Sequence, residues 1–229
     1  AKPGQFINVY PEDSSTLLPR PISICEADGD QNKLRIVYRT AGKGTTEFSK
    51  YREGKDIAIL GTLGNGFPLD KAKGKKCFLM GGGIGIPPMV QLAKKLHEQG
   101  DCEIQIIVGY RDADLFLQKD LEKYGRVYVA TEDGSVGTKG NVMDAIAANM
   151  LSADMFFACG PMPMLRAIKK YAEEKGIKAY ISLEEHMACG VGACLGCVVK
   201  TKEVDHHSHV HNARICTDGP VFDAEEVEI

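Results

Sequence analysis

No apolar run in this chain is long enough to cross a bilayer. The least polar stretch, Cys77 to Val90, covers 14 residues and is interrupted by glycine and proline, against the roughly 20 that a spanning helix needs. There is no basic excess either. The 28 Lys and Arg are outnumbered by 31 Asp and Glu, for a net charge of −3, which argues against a nucleic-acid footprint. No secretory leader is visible. Eight cysteines without one predict reduced thiols in the cytoplasm. Internal repeats and low-complexity tracts are absent. The stretch from Thr217 to Ile229 has no base and five acids, as a solvated tail would.

What is present is a chain of 229 residues, 44% hydrophobic. That suffices for one large domain, or for two modest domains and a small module. Its most informative stretch is Cys189-Gly-Val-Gly-Ala-Cys194-Leu-Gly-Cys197, with Cys216 following after 18 intervening residues. This Cys-x4-Cys-x2-Cys…Cys spacing suits a two-iron, two-sulfur cluster. The glycines let a loop wrap an inorganic core with backbone N–H groups aimed at sulfur. Two other readings stay open here. Structural zinc usually takes two close cysteine pairs, which Cys216 alone does not supply. Disulfides would need an oxidising compartment.

Upstream, Gln5 to Tyr10, Arg20 to Glu26, Lys33 to Arg39 and Asp56 to Thr62 read as short strands bounded by turn residues. They predict a small antiparallel β-barrel. Four strands are few for closure, and the first residue is Ala1, so a further upstream strand is expected. Arg20-Pro21-Ile22-Ser23 puts a cation and a hydroxyl at a strand end. Val37-Tyr38-Arg39 leads through Gly42-Lys43-Gly44-Thr45 into a predicted helix, Thr46 to Tyr51. A helix start of this kind favours a pyrophosphate. A plain tight turn with a helix cap explains it equally, and Arg20 alone reads as a surface charge.

From Lys76 the pattern changes to alternating strands and helices. Strands are predicted at Lys76 to Met80, Glu103 to Gly109, Arg126 to Thr131, Asp154 to Cys159 and Lys178 to Leu183. Helices are predicted after Pro88 with Gly100 as a stop, and at Ala113 to Tyr124, Val142 to Met150 and Met162 to Lys175. This is the signature of a doubly wound parallel α/β sheet, whose ligands sit at the carboxyl ends of strands. Those ends carry Gly81 to Gly85, Gly109-Tyr110-Arg111, Thr131-Glu132-Asp133 and Cys159-Gly160-Pro161. Cys159 reads either as a small buried residue or as a soft neighbour for a nicotinamide ring. Asp205 to His211 holds four histidines, which fits a solvated loop or a transition-metal site. His186, beside the cluster loop, reads as a packing residue.

The chain resembles the ferredoxin–NADP reductase superfamily through Arg20-Pro21-Ile22-Ser23, Gly42-Lys43-Gly44-Thr45, Gly81 to Pro87 and Cys159-Gly160-Pro161-Met162. Within it, the chain is similar to the iron–sulfur flavoprotein subunits of type B dihydroorotate dehydrogenases. The added matches are Pro3-Gly4-Gln5-Phe6, Gly64-Asn65-Gly66-Phe67, Ser182-Leu183-Glu184-Glu185, the Cys189 to Cys197 loop and Cys216 to Phe222. The resemblance implies three parts: an FAD domain over 1–72, an NAD-binding domain over 73–183 and a [2Fe-2S] module over 184–229.

By the same resemblance, Arg20, Pro21, Ile22 and Ser23 would line the flavin, with the Ser23 hydroxyl near its N5. Val37, Tyr38 and Arg39 would take the ribityl and adenosine side, and Gly44 and Thr45 the pyrophosphate. NAD would rest on Gly82, Gly83, Gly85, Cys159 and Gly160. Cys189, Cys194, Cys197 and Cys216 would hold the cluster. Many superfamily members carry an aromatic residue where this chain has Ile22, and many end on an aromatic residue over the flavin, where this chain continues into the cluster module. The resemblance also implies a soluble partner, an FMN-containing dihydroorotate dehydrogenase catalytic subunit, in a heterotetramer with two of each chain. Electrons would pass from its FMN through the cluster and FAD to NAD in pyrimidine biosynthesis. The alternatives are a related reductase serving an oxygenase or a bifurcating ferredoxin–NADP system, and a zinc-stapled nucleotide sensor without redox activity.

Overall fold

The computed structural model describes residues 1–204 and 209–229. Residues 205–208, which hold half of the histidine run, lie outside the described residues. The N-terminal part contains β1 (Phe6–Val9), β2 (Arg20–Asp28), β3 (Lys33–Ile36), the short helix α1 (Lys43–Phe48) and β4 (Ile59–Leu63). These strands pair antiparallel in the order β3-β2-β1-β4. Among the described residues the sheet stays open, as expected for so few strands. Alternation along β1 decides where its side chains go. Ile7 and Val9 join Ile24 and Phe48 in the sheet's own apolar core. Phe6 instead joins the core of the C-terminal half.

The central part runs β5 (Lys76–Gly82), α2 (Pro87–Gln99), β6 (Glu103–Tyr110), α3 (Gln118–Leu121), β7 (Arg126–Thr131), β8 (Thr138–Lys139), α4 (Val142–Ala148), β9 (Met155–Cys159), α5 (Met162–Lys175) and β10 (Lys178–Ser182). Strands β5 to β10 pair parallel, and β5 lies centrally between β9 and β6. Cys77, Phe78, Leu79 and Met80 are all fully buried, as a strand covered on both faces requires. Phe78 and Met80 face α4 and α5, packing with Val142, Leu165 and Ile168. Cys77 and Leu79 face α2, packing with Met89, Leu92 and Leu96. Helix α2 opens on Pro87 and closes on Gly100 at φ 68°, which only glycine adopts without strain.

The C-terminal part adds β11 (Val198–Thr201), β12 (Asn212–Arg214), β13 (Val221–Asp223) and β14 (Val227–Glu228). Three of these form a small sheet, β12-β11-β14. Strand β13 leaves it and pairs antiparallel with β10, so that the large sheet reads β13-β10-β9-β5-β6-β7-β8.

The stretch from Thr217, expected as a solvated tail, instead supplies β13 and β14, with Val221, Phe222, Ala224 and Val227 buried; three predicted elements differ as well. The strand expected to reach Arg39 ends at Ile36, and Val37 to Arg39 peel away to line a cavity. The helix expected over Ala113 to Tyr124 is a single turn. Asp112 accepts the N–H of Asp114 (2.9 Å), and Leu117 sits at φ 64°; this turn competes with the helix and delays its start. The helix expected from Thr46 to Tyr51 begins three residues earlier, at Lys43.

One of the tightest backbone approaches in the central sheet is at Gly85. A Cβ there would overlap the Cys159 carbonyl and the Gly160 nitrogen. Gly85→Ala should therefore destabilise the chain by about 1–3 kcal/mol, read as a lower Tm in thermal unfolding. Gly29→Ala, with nothing within 4 Å, should leave Tm nearly unchanged. Equal Tm values for both variants would contradict this packing.

Candidate functional site

A cavity of about 240 Å³ opens between the N-terminal sheet and the carboxyl ends of β5 and β10. Pro21, Ile22 and Ser23 of β2 form one wall, and Val37, Tyr38 and Arg39 form another. The C-terminal half closes it with Ser182 to Glu185, Met187 and Pro220. A second cavity of about 400 Å³ shares Val37, Tyr38, Arg39 and Ile84, and extends past Gly83 to Tyr110 and Arg111. Together they make one cleft across the strand ends, where a doubly wound sheet binds ligands.

Arg20 lies outside that cleft. Its Nη1 donates to the Leu18 carbonyl (2.7 Å), and its Nε lies 2.8 Å from where a Cβ on Gly44 would be. Arg20, Gly44 and Thr45 are thus brought together at the start of α1. The Thr45 Oγ1 accepts the N–H groups of Ala41 (2.9 Å) and Gly42 (3.1 Å), which holds the turn closed. Ala41 also lines the first cavity, so the turn is continuous with the cleft.

The glycine turn after β5 divides by role. The missing side chain of Gly82 leaves room for Met164 and Pro161, and that of Gly85 for the backbone of Cys159 and Gly160. Only Gly83, at φ 51°, faces open space and lines the cleft. Pro87 and Pro88 begin α2 without N–H groups to offer. The turn therefore works mainly by drawing β5, β9 and α2 together. Cys159 is buried at the end of β9, beside Ser182 of β10. Burial pushes its thiol up to about 12, so it stays neutral.

Several cavity residues were not among the candidates, Ile84, Glu184, Glu185 and Pro220 with them. The rule that ligands gather at strand ends points to Glu184 and Glu185, which follow β10. Desolvation raises the Glu184 pKa, and the positive charge of Arg39 opposes the rise.

The four cluster thiols fall in two pairs. Cys194 lies beside Cys189, and Cys197 beside Cys216. Among the described residues no three His, Cys, Asp or Glu side chains converge as a single ion requires. Two pairs suit two irons bridged by sulfide, with two thiolates on each. All eight cysteines are free thiols. The Cys189 sulfur accepts the N–H groups of Val191 and Cys194 (both 3.4 Å), which pulls its pKa down to about 6. Gly192 donates its N–H to Cys216 (3.2 Å). Burial outweighs that bond and holds Cys216 near 11. Cys197 and Cys216 are buried, and Cys194 is exposed.

Side chains from distant elements fix this loop. Arg214 pairs with Asp218 through Nε (3.0 Å) and Nη2 (3.1 Å), closing the turn that carries Cys216. Burial works against the Asp218 carboxylate, yet the Arg214 bonds hold its pKa below the ordinary value. Asn65 donates to the Thr217 (3.3 Å) and Asp218 (2.8 Å) carbonyls. Gly64 abuts Pro220 so closely that a Cβ would meet its Cδ at 2.5 Å. The Gly64-Asn65-Gly66-Phe67 stretch is thus a seat for the last cysteine.

Known proteins carry the same parts. Residues 184–228 match the iron–sulfur cluster binding domain of dihydroorotate dehydrogenase B, and residues 79–170 match an oxidoreductase NAD-binding domain. The electron transfer subunit of dihydroorotate dehydrogenase B (NAD(+)) from Geobacillus sp. strain WCH70 is 42% identical, over 98% of this chain and 86% of that protein. The corresponding subunit from Fusobacterium nucleatum is 44% identical, over 99% of this chain and 87% of its own length. Among solved structures, a chain of the NADH-dependent reduced ferredoxin-NADP oxidoreductase superposes with a TM-score of 0.86 at 29% identity, over 100% of this chain and 80% of that one. The ferredoxin NADP+ reductase of Neisseria gonorrhoeae, with bound FAD and NADP, shares the fold at a TM-score of 0.63 and 18% identity, over 82% of this chain and 83% of its own. The two cysteine pairs, the cleft at the strand ends and the near-full-length identity agree: this chain belongs to the family of electron transfer subunits of dihydroorotate dehydrogenase B.

Proposed function

We infer that the chain carries electrons from a catalytic partner that oxidises dihydroorotate to NAD+, in the synthesis of UMP. The observation that supports this most is the adjacency of the two sites. Phe6 lines the first cavity and also packs in the same apolar core as Cys197 and Cys216. The cavity thus borders the apolar core that also holds Cys197 and Cys216.

The cavity takes the flavin ring of FAD, with Pro21 and Ile22 as its wall and the Ser23 hydroxyl at its edge. Val37 to Arg39 follow the FAD chain outward. Arg20, with Gly44 and Thr45, meets the pyrophosphate, where the guanidinium balances its charge. NAD occupies the second cavity, entering over Gly83. Gly82, Gly85, Cys159 and Gly160 support it from behind as packing. A bound flavin exchanges a hydride with a nicotinamide and single electrons with an iron–sulfur cluster. Two electrons and one proton reduce one NAD+, and oxidation of one dihydroorotate releases two electrons. No side chain is needed as a general base.

The partner holds FMN and docks where Cys194 is exposed, flanked by the exposed apolar side chains of Val191 and Leu195. The assembly is a heterotetramer with two of each chain. The setting is cytoplasmic, and no helix among the described residues is long and apolar enough to cross a membrane. The functional parts span 1–72, 73–183 and 184–229, with β13 of the last part completing the sheet of the second.

Replacing Cys194 with Ser should remove the paramagnetic resonance signal of the reduced cluster and lower bound iron, while FAD stays. Wild-type iron and sulfide in that variant would show that Cys194 is not a ligand. Gly44→Val should lose FAD before fold, because the added carbons displace Arg20; flavin content after gel filtration checks this, and normal content would move the pyrophosphate elsewhere. Mixing the holo chain with an FMN-containing dihydroorotate dehydrogenase subunit should couple dihydroorotate to NAD+ reduction, followed as NADH absorbance. Coupling only with a ferredoxin or an oxygenase would instead assign the chain to a related reductase.

A further inference from the structure

Asn8 is the one side chain of β1 that bonds the cluster loop. It is fully buried, and its Nδ2 donates to the carbonyl of Cys189 (3.1 Å), 181 residues away in sequence. In the β1–β2 register, Asn8 stands opposite Pro21, and Phe6 opposite Ser23. The strand that holds the flavin wall in place therefore also grips the first cluster ligand. The loop is shaped for this contact. Gly190 sits at φ 70°, and a Cβ there would overlap the Asn8 amide.

The energetics separate this role from simple packing. Asn8 Oδ1 is buried without a hydrogen-bond partner, which carries a desolvation penalty. An apolar residue would fill the site without that cost. The amide earns its place only through the bond to Cys189. That bond fixes the backbone of a ligating residue, and groups behind metal ligands orient them and tune the metal. Hydrogen bonding and solvent exposure around a cluster also shift its potential.

We propose that Asn8 is a positioning residue for the electron step between flavin and cluster. It ties the Cys189 backbone to the strand behind the flavin wall, and so sets the separation and orientation of the two centres. This rests on the assignment of FAD to the cavity and of the cluster to the four cysteines. One electron crosses the junction at a time, and two crossings balance the two electrons of one NAD+ reduction.

The test uses the holo chain carrying Asn8→Leu, which keeps roughly the shape but has no group to donate to the carbonyl. Flavin, iron and sulfide content should match wild type, and so should NADH–ferricyanide turnover, which draws on the flavin directly. The line shape of the reduced-cluster paramagnetic resonance spectrum should change. Anaerobic stopped-flow should show electron passage from NADH-reduced flavin to cluster slowed about tenfold or more. Gly190→Ala pushes on the same contact from the loop side with β1 untouched, and should also alter the line shape even if Asn8→Leu does not fold. A wild-type line shape with a wild-type flavin-to-cluster rate, in either folded variant, overturns the proposal. Equal slowing of ferricyanide turnover also overturns it, because that marks general loss of structure. A wild-type chain that binds no flavin or no iron would instead overturn the underlying site assignment.

Discussion

The return of the chain from the cluster module to the large sheet is the constraint on which the rest depends. After β10 the backbone passes the cleft at Leu183 to Glu185, wraps the cysteine loop and comes back at β13. Strand β13 then pairs with β10 in register, Ser182 opposite Val221. Leu183 N–H donates to the Pro220 carbonyl (2.8 Å), and Asn65 N–H to the Gly219 carbonyl (2.6 Å). The nucleotide sheet, the flavin sheet and the cluster loop are thereby bonded at one junction. Each such bond contributes only about 1 kcal/mol, but together they remove the freedom of a module that would otherwise hang on a linker.

This junction suits electron transfer more than acid–base chemistry. Apolar and neutral groups meet there: Phe6, Pro220 and the paired thiols of Cys197 and Cys216. Charge enters as opposed pairs, Arg39 with Glu184 on the cavity wall and Arg214 with Asp218 beside Cys216. Fixed dipoles change little when an electron arrives, whereas bulk water would have to reorganise. The N–H groups around Cys189 and Cys216 are already aimed at sulfur by the glycine-rich loop.

Much of this was legible in the sequence, for identifiable reasons. The four cysteines stood out by their spacing, and the structure brings them together as two adjacent pairs. The doubly wound sheet followed from buried strands such as Cys77 to Met80 alternating with capped helices. Pro21 to Ser23 and Val37 to Arg39 do line one cavity. The division of labour among the glycines was not legible: Gly82, Gly83 and Gly85 look alike in sequence, and only the contacts of Met164 and Cys159 tell packing from ligand space. Helix α3 was overestimated because the Asp112 turn is a local competitor that periodicity does not report. Asn8 carried no sequence signal at all, since its partner lies in another module. The Gly64–Phe67 stretch stood out only by resemblance, and its seat for Cys216 explains why those residue types are there.

The central claim is that one polypeptide joins a hydride-exchanging site to a one-electron site across one shared apolar core. Anaerobic addition of NADH to the holo chain alone, with flavin absorbance and paramagnetic resonance recorded together, tests it most directly. The account requires flavin bleaching accompanied by the signal of a reduced cluster, without any partner subunit. Bleached flavin beside a cluster that remains oxidised would contradict it.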